Sequence, residues 1–456
     1  MLLDINWSAV GLQAGQLILS LSILVVMHEL GHFIPAKLFK CRVEKFYLFF
    51  DPWFSLFRKK IGETVYGIGW LPLGGYVKIA GMVDESMDKE QMKMPPQPWE
   101  FRSKPAWQRL IIMIGGVTVN VLLAFLIYAM ILFTWGETKL PLKNVKEGIW
   151  TIDSVANDIG LKTGDRILAV NGKEVSYFED LNAALLLSEH ITVDRGGQVQ
   201  HIDVPVNFIE TIVEKGRRSA LVFPRIPAIV AEVPDTAQAK KAGLKAKDQI
   251  VGIDTINVKY FDEIRPLLAS RKGDTIDLRV KRDGRVVSLR APISAEGSIG
   301  FFPMLPGLDD LRTMNEYSFE KREYGFFASF PAGVKKALEK LQFYVQQFKK
   351  ILNPATGAYK GIGGFKSMGS IFPKYEWNWE AFWNITAFFS IVLAFMNLLP
   401  IPALDGGHVV FTIYEMITGR KPSEKFLEYA QIVGMAILFG LILYANGNDW
   451  FGWGKR

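Results

Sequence analysis

The sequence predicts a polytopic α-helical membrane protein that carries a soluble, β-rich insert, and three observations support that class. Apolar residues make up 49% of the 456 and gather into four runs long enough to cross a bilayer. The first run contains Met27-His28-Glu29-Leu30-Gly31-His32-Phe33, ionisable groups that are costly in a membrane helix and mark function by default. Between the second and third runs the chain repeats itself. Gly160-Leu161-Lys162-Thr163-Gly164-Asp165-Arg166-Ile167 returns as Gly243-Leu244-Lys245-Ala246-Lys247-Asp248-Gln249-Ile250, and Tyr177-Phe178-Glu179-Asp180-Leu181 as Tyr260-Phe261-Asp262-Glu263-Ile264; the offsets 243 − 160 and 260 − 177 are both 83.

Composition excludes several classes. The formal charge of +7 comes without a compact basic stripe, much of the Lys and Arg flanking apolar runs, so no nucleic-acid partner is expected. The single cysteine, Cys41, cannot form an internal disulfide. No cleavable signal peptide is expected, because residues 1–7 carry Asp4 and no base.

The first span is expected over about residues 12–38. On a helix His28 and His32 lie one turn apart on one face, where two neutral imidazoles can share a tetrahedral Zn²⁺. Glu29 then lies beside the metal, placed to take a proton from its water. A chance His-Glu-x-x-His in a chain of this length has a probability on the order of one per cent. The exit is basic, with Lys37, Lys40, Arg42 and Lys45, and no Lys or Arg precedes the span. The positive-inside rule therefore puts the N-terminus outside and the motif toward the cytoplasm.

Residues 66–78 alternate in short β-like pieces broken by glycines. They are expected as a hairpin, either on the cytoplasmic surface or dipping into the membrane where protein or water covers its backbone. Residues 89–109, with Pro95, Pro96 and Pro98, read as a polar surface segment. The second span, about 110–135, holds no charge, one amide at Asn120, and Gly115-Gly116, which fit close helix packing; a direct substrate role for Asn120 is the other reading.

The repeat region has the β-rich spacing, the Asp-x-Ile followed by a turn such as Val170-Asn171-Gly172, and the helix start near Phe178 that resemble PDZ domains, which accept a peptide as an added strand beside that helix. Its histidines, His190 and His201, read as surface residues. Residues 326–352 are amphipathic at helical period and are expected to lie on the outer membrane face, or else to pack on the repeats. The third span, about 381–404, ends in Asn397-Leu398-Leu399-Pro400-Ile401-Pro402-Ala403-Leu404-Asp405-Gly406-Gly407-His408. Its prolines must free backbone groups, which in a membrane needs a wet or protein-lined site, and Asp405 there wants a cation. A basic loop with Arg420, Lys421 and Lys425 precedes the last span, about 429–445, so that four crossings leave both basic loops inside.

His-Glu-x-x-His in the first span, Pro72-Leu73-Gly74-Gly75-Tyr76-Val77-Lys78 after it, a PDZ-like pair after the second, and Asn-x-x-Pro-x-Pro-x-Leu-Asp-Gly in the third together resemble the site-2 protease family of intramembrane zinc metalloproteases, of the bacterial RseP (regulator of sigma-E protease) type. The resemblance implies an M50-type metalloprotease core of four transmembrane helices with a reentrant β hairpin, plus two tandem PDZ domains. Divided accordingly, residues 1–135 hold the first two helices and the hairpin, 136–226 and 227–300 the PDZ domains, 301–380 an amphipathic interfacial linker, and 381–456 the last two helices. It further implies Zn²⁺ held by His28, His32 and Asp405, with Glu29 as general base. Asn397 is implied as a contact to substrate or transition state, and Gly74, Gly75 and Tyr76 as the hairpin that presents the substrate strand.

The implied partners are the bilayer and a single-pass membrane protein already trimmed by a site-1 cleavage, such as an anti-sigma factor, with remnant signal peptides as further substrates. The implied location is the bacterial inner membrane, with both termini and the PDZ pair periplasmic and the active site toward the cytoplasm. Two departures bear on how substrate reaches the site: Gly116-Val117 replaces the family's Gly-Pro, and Phe49-Phe50-Asp51-Pro52 replaces a Gly-Phe-Gly-Pro-like stretch. His408 is the competing ligand, three residues beyond Asp405, although three protein ligands and water already fill a catalytic zinc site. A metal or ion transporter would leave unexplained why Glu29 adjoins His28, and a non-catalytic PDZ scaffold would tolerate loss of Glu29, which is present.

Overall fold

The computed structural model describes residues 6–72, 74–82, 94–152, 154–216 and 220–455. Two compact units divide the chain: Met1–Glu137, Glu323–Pro354 and Ala358–Arg456 form one, and Thr138–Arg322 with Ala355–Gly357 the other. Among the described residues four helices are long and apolar enough to cross a membrane: Trp7–Leu38, Ala106–Thr134, Trp379–Asn397 and Lys425–Phe451.

Helix α1 (Trp7–Leu38) starts where the Asn6 side chain accepts the Ala9 N–H. It runs through Pro35, which has no N–H, so the Gly31 carbonyl one turn earlier loses its usual helical donor. Four strands follow, β1 (Val43–Leu48), β2 (Phe50–Ile61), β3 (Thr64–Leu71) and β4 (Tyr76–Ile79), in the order β2-β3-β1-β4, with β1 parallel to β3 and antiparallel to β4. The sheet is therefore larger than the hairpin expected over 66–78, of which Leu73 lies outside the described residues. Its first half was hidden because β2 breaks alternation: Pro52 sits within it, Phe49 and Trp53 have φ of 68° and 69°, and the register slips between Phe50 and Ser55.

Of the polar stretch expected over 89–109, residues 89–93 lie outside the described ones; a single 3-10 turn, Phe101–Ser103, leads into helix α2 (Ala106–Thr134). Helices α1 and α2 meet backbone to backbone. A Cβ built on Gly115 would stand 2.0 Å from the Gly31 oxygen, and one on Gly31 2.4 Å from the Gly115 oxygen. Ala36, Ile112, Met113, Val43 and Ile79, all at most 2% exposed, pack α1, α2 and the sheet into one core.

The second unit holds two copies of nearly one element order, differing among the described residues by a short strand found only in the second and the helix Phe208–Glu214 found only in the first. The first comprises β5 (Ile149–Thr151), β6 (Arg166–Val170), α3 (Phe178–Leu186), the hairpin β7 (His190–Arg195) with β8 (Gln198–Asp203), and β9 (Val222–Pro224), which pairs back with β5. The second comprises β10 (Val230–Glu232), β11 (Gln249–Ile253), β12 (Ile256–Asn257), α4 (Ile264–Ala269), β13 (Thr275–Arg282) with β14 (Arg285–Pro292), and β15 (Phe302–Pro303), which pairs back with β10. The same buried clasp recurs: Arg195 grips Asp165 at 2.7 Å through both oxygens and Arg282 grips Asp248 at 2.7 and 2.6 Å, each arginine also donating to a glycine carbonyl, Gly160 or Gly243. Because β15 closes the second copy, that fold extends past residue 300. His190 and His201 are exposed, on Asp203 and Thr192.

Helix α5 (Phe326–Leu352) belongs to the helical unit. It packs against two of the helices: Gly333 abuts the Ala129 backbone of α2, and Tyr344 and Phe348 meet Phe395 of the helix Trp379–Asn397 edge to face at 5.4 and 5.2 Å. Part of its apolar stripe thus packs on protein, while Phe327, Phe330 and Leu338 stay exposed, a division that periodicity does not encode. Helix α6 (Trp379–Asn397) ends seven residues before the span expected to 404; the Pro400 and Pro402 turn separates it from a further helix, α7 (Asp405–Thr418), between the expected third and last spans. Helix α8 (Glu424–Phe451) completes the unit.

Replacing Gly115 with Val would force α1 and α2 apart. We expect a loss of about 1–3 kcal/mol, read as a lower thermal unfolding midpoint of the full chain in detergent.

Candidate active site

The site is assembled from three helices. α1 presents His28 and His32 one turn apart, their rings edge to face with centroids 4.8 Å apart. α2 makes room for them: a Cβ on Gly116 would lie 2.4 Å from His32 Nε2 and 2.6 Å from His28 Cε1, so only glycine fits there. α7 supplies Asp405 as its first residue, where the exposed N–H groups of a helix start favour a carboxylate. Gly406 and Gly407 let α7 start directly against the preceding turn; a Cβ on either would fall 2.3 Å from the Leu399 oxygen or 2.5 Å from Pro402 Cα.

These three side chains converge on one point. His28 Nε2, His32 Nε2 and Asp405 Oδ2 form a triangle with all three sides 3.2 Å. Nitrogen and oxygen ligands bonded at about 2.0–2.1 Å to one tetrahedral zinc are spaced by about 3.3 Å. Asp405 Oδ2 is buried and faces only the two imidazole nitrogens; with both nitrogens bare it has no donor, a cost that a bound cation removes. Two imidazoles and a carboxylate, with no thiolate, suit a catalytic rather than a structural zinc; Cys41 is buried, free and not in the cluster. His32 Nδ1 lies 2.8 Å from the Ile112 carbonyl, which holds the ring proton on Nδ1 and leaves Nε2 bare for metal. His28 Nδ1 lies 3.0 Å from the Asn120 amide of α2.

Glu29 is only 9% exposed and stands at the sheet edge. A Cβ on Gly75 would come within 2.6 Å of Val25 Cγ1 and 3.5 Å of Glu29 Cγ, and the Val77 N–H faces the Glu29 carboxylate. Edge strand β4 therefore starts beside that carboxylate because Gly75 lacks a side chain. Asn397, the last residue of α6, brings its Nδ2 to 3.4 Å from His28 Nε2. Gly74, at φ +148°, lies over the Phe50 ring. The Tyr76 side chain departs from this group: it stacks on Tyr47 at 5.3 Å and donates its hydroxyl to Asp51 Oδ1 at 2.8 Å.

The structure thus gathers His28, Glu29, His32, Asp405, Asn397 and Gly75. His408 does not join the triangle; one turn beyond Asp405 it lines a separate cavity of about 270 Å³ with Arg102, Arg109, Glu415 and Lys421. Sequence reasoning passed over the place of Gly116 and Asn120 at the imidazoles. Both stood out as the small pair and the lone amide of the second span, but which helix they face is a tertiary fact.

The profile of peptidase family M50 matches residues 16–441. The chain is 28% identical over 461 residues to the regulator of sigma-E protease RseP of Escherichia coli, covering 95% of this chain and 97% of that protein. It is 26% identical over 459 residues to the regulator of sigma E protease of Haemophilus influenzae, covering 95% and 98%. With a protein of Vibrio cholerae provisionally named a zinc metalloprotease, the identity is 30% over 474 residues, covering 98% and 99%.

A methyl group at position 116 would displace both imidazoles. Gly116→Ala should therefore lower the zinc content of purified protein, measured by elemental analysis against wild type at equal concentration.

Proposed function

The chain belongs to peptidase family M50 and is a membrane zinc metalloprotease of site-2 function; on that premise we propose that His28, His32 and Asp405 are its metal ligands and Glu29 its general base. The observation that carries this reading is the 3.2 Å triangle with Glu29 next to one of its corners. Bound zinc supplies a Lewis acid that polarises the peptide carbonyl and acidifies the attacking water. Glu29 takes the water's proton and returns it to the leaving amine, both within reach of one carboxylate. The Asn397 amide, beside the metal-facing nitrogen of His28, donates to the carbonyl oxygen as charge grows there. The transporter and scaffold alternatives give no role to Glu29.

A transmembrane helix hides its carbonyls in its own hydrogen bonds, so the substrate must unwind at the cut. We assign β4 as the edge that receives the unwound segment as an added strand, Gly74 and Gly75 letting backbone approach backbone next to Glu29. In this role the four-stranded sheet is reentrant. Tyr76 shapes that edge through Asp51 rather than touching the reacting bond.

The substrate we propose is a single-pass membrane protein trimmed by an earlier cleavage, an anti-sigma factor in keeping with the names of the Escherichia coli and Haemophilus influenzae relatives; remnant signal peptides share its chemistry. We place the chain in a bacterial inner membrane with both termini outside, from the Lys and Arg at 37, 40, 42 and 45 and at 420, 421 and 425. The two repeats, read as PDZ domains, then lie in the periplasm, entered from α2 and left before α6. There they act as a size filter that rejects substrates still bearing a bulky outer domain.

Two measurements test this. Glu29→Gln keeps the ligands and removes the proton acceptor, so zinc should remain while cleavage falls by about 10²–10⁴-fold; near-normal cleavage in a purified system would exclude Glu29 as base. Replacing residues 138–322, the soluble unit, with a short linker should permit cleavage of untrimmed substrate. Continued rejection of that substrate by an active, folded variant would sink the filter.

A further inference from the structure

The two imidazoles are held from behind by unlike groups. His32 Nδ1 meets a backbone carbonyl, Ile112, that can only accept. His28 Nδ1 meets the side-chain amide of Asn120, 3.0 Å away, which can donate through Nδ2 or accept through Oδ1. Asn120 is fully buried in α2, one turn after the Gly116 that makes room for both rings. Its backbone is fixed from α6, where Ser390 Oγ donates to the Asn120 carbonyl at 2.7 Å. Its Oδ1 has no hydrogen-bond partner, and a buried amide oxygen left unused is destabilising.

We propose that Asn120 is the positioning residue for His28: its Oδ1 accepts the Nδ1–H of the ring, which fixes the tautomer whose Nε2 is bare toward His32 and Asp405. A metal on Nε2 requires the ring proton on Nδ1, so the partner there must accept. Half a turn of the amide about its last bond exchanges Nδ2 for Oδ1 and gives the orphaned oxygen its donor. An amide also satisfies the ring in its other tautomer, through Nδ2, which a carbonyl or carboxylate does not. The His28 corner can therefore change tautomer without leaving a bare buried nitrogen, whereas the His32 corner is locked.

This inference rests on the reading of His28, His32 and Asp405 as the metal site, and the experiment separates the two. Zinc affinity of the full-length protein in detergent is measured by chelator competition for wild type, Asn120→Leu, Asn120→Asp and His28→Ala, with thermal midpoints in chelator as a check on folding. Asn120→Leu, close in size, should weaken zinc binding by about 10–100-fold. Asn120→Asp, which can only accept, should bind zinc at least as tightly as wild type even if its midpoint falls. The visible spectrum of the cobalt-substituted protein should change with Leu and be retained with Asp. If His28→Ala binds zinc like wild type, the metal-site reading fails. If His28→Ala loses zinc while Asn120→Leu keeps wild-type affinity and cobalt spectrum, or if Asp weakens binding as much as Leu, the role of Asn120 is overturned.

Discussion

Two imidazoles and a carboxylate held within 3.2 Å of one another, in a unit built of membrane helices, set the terms for the rest of the helical unit. Such groups repel a dry surrounding and each other's lone pairs, so the backbone that carries them must be fixed from several sides. That is what the glycines do. Gly31 against Gly115 brings α1 and α2 to backbone contact, and Gly116 opens a slot the width of two rings. Pro35 contributes by leaving the Gly31 carbonyl without its helical donor on the face where Gly115 presses.

The third corner needs a different device. A continuous helix would carry Asp405 two turns beyond Asn397, but the Pro400 and Pro402 turn folds the chain back so that both residues reach His28. The backbone groups freed by that break are absorbed locally: the Leu399 oxygen meets the Ile401 N–H at 2.7 Å and the Ile401 oxygen the Leu404 N–H at 2.8 Å. The irregular backbone thus satisfies part of its own hydrogen bonding, which is what a membrane demands of it. At its far end α7 is tied to α2 by a half-buried ion pair, Glu415 with Arg109 at 2.5 Å, so the helix bearing Asp405 is anchored to the helix bearing Gly116.

Much of this was legible in the sequence. The His-Glu-x-x-His spacing, the charge-free spans and the repeat at offset 83 each depend on local periodicity, and the three residues that the resemblance implies as ligands lie together in space. What stayed hidden depends on which surfaces meet. The strand Phe50–Ile61 is disguised by Pro52 and a bulge, helix α7 by its glycine-rich start, and the packing of α5 against α2 and α6 by the fact that an amphipathic stripe suits lipid or protein equally well. Asn120 shows the limit most plainly: a lone amide in an apolar run signals a hydrogen bond, while its partner, 92 residues earlier in the chain, is set by the crossing of two helices.

The central claim, that one zinc is held by His28, His32 and Asp405, is tested most directly by X-ray absorption at the zinc edge of the purified full-length protein. The account predicts one zinc with about four nitrogen or oxygen neighbours at about 2.0–2.1 Å, two of them showing the outer-shell scattering of imidazole. A sulfur neighbour at about 2.3 Å, or a first shell with fewer than two imidazoles, would contradict it.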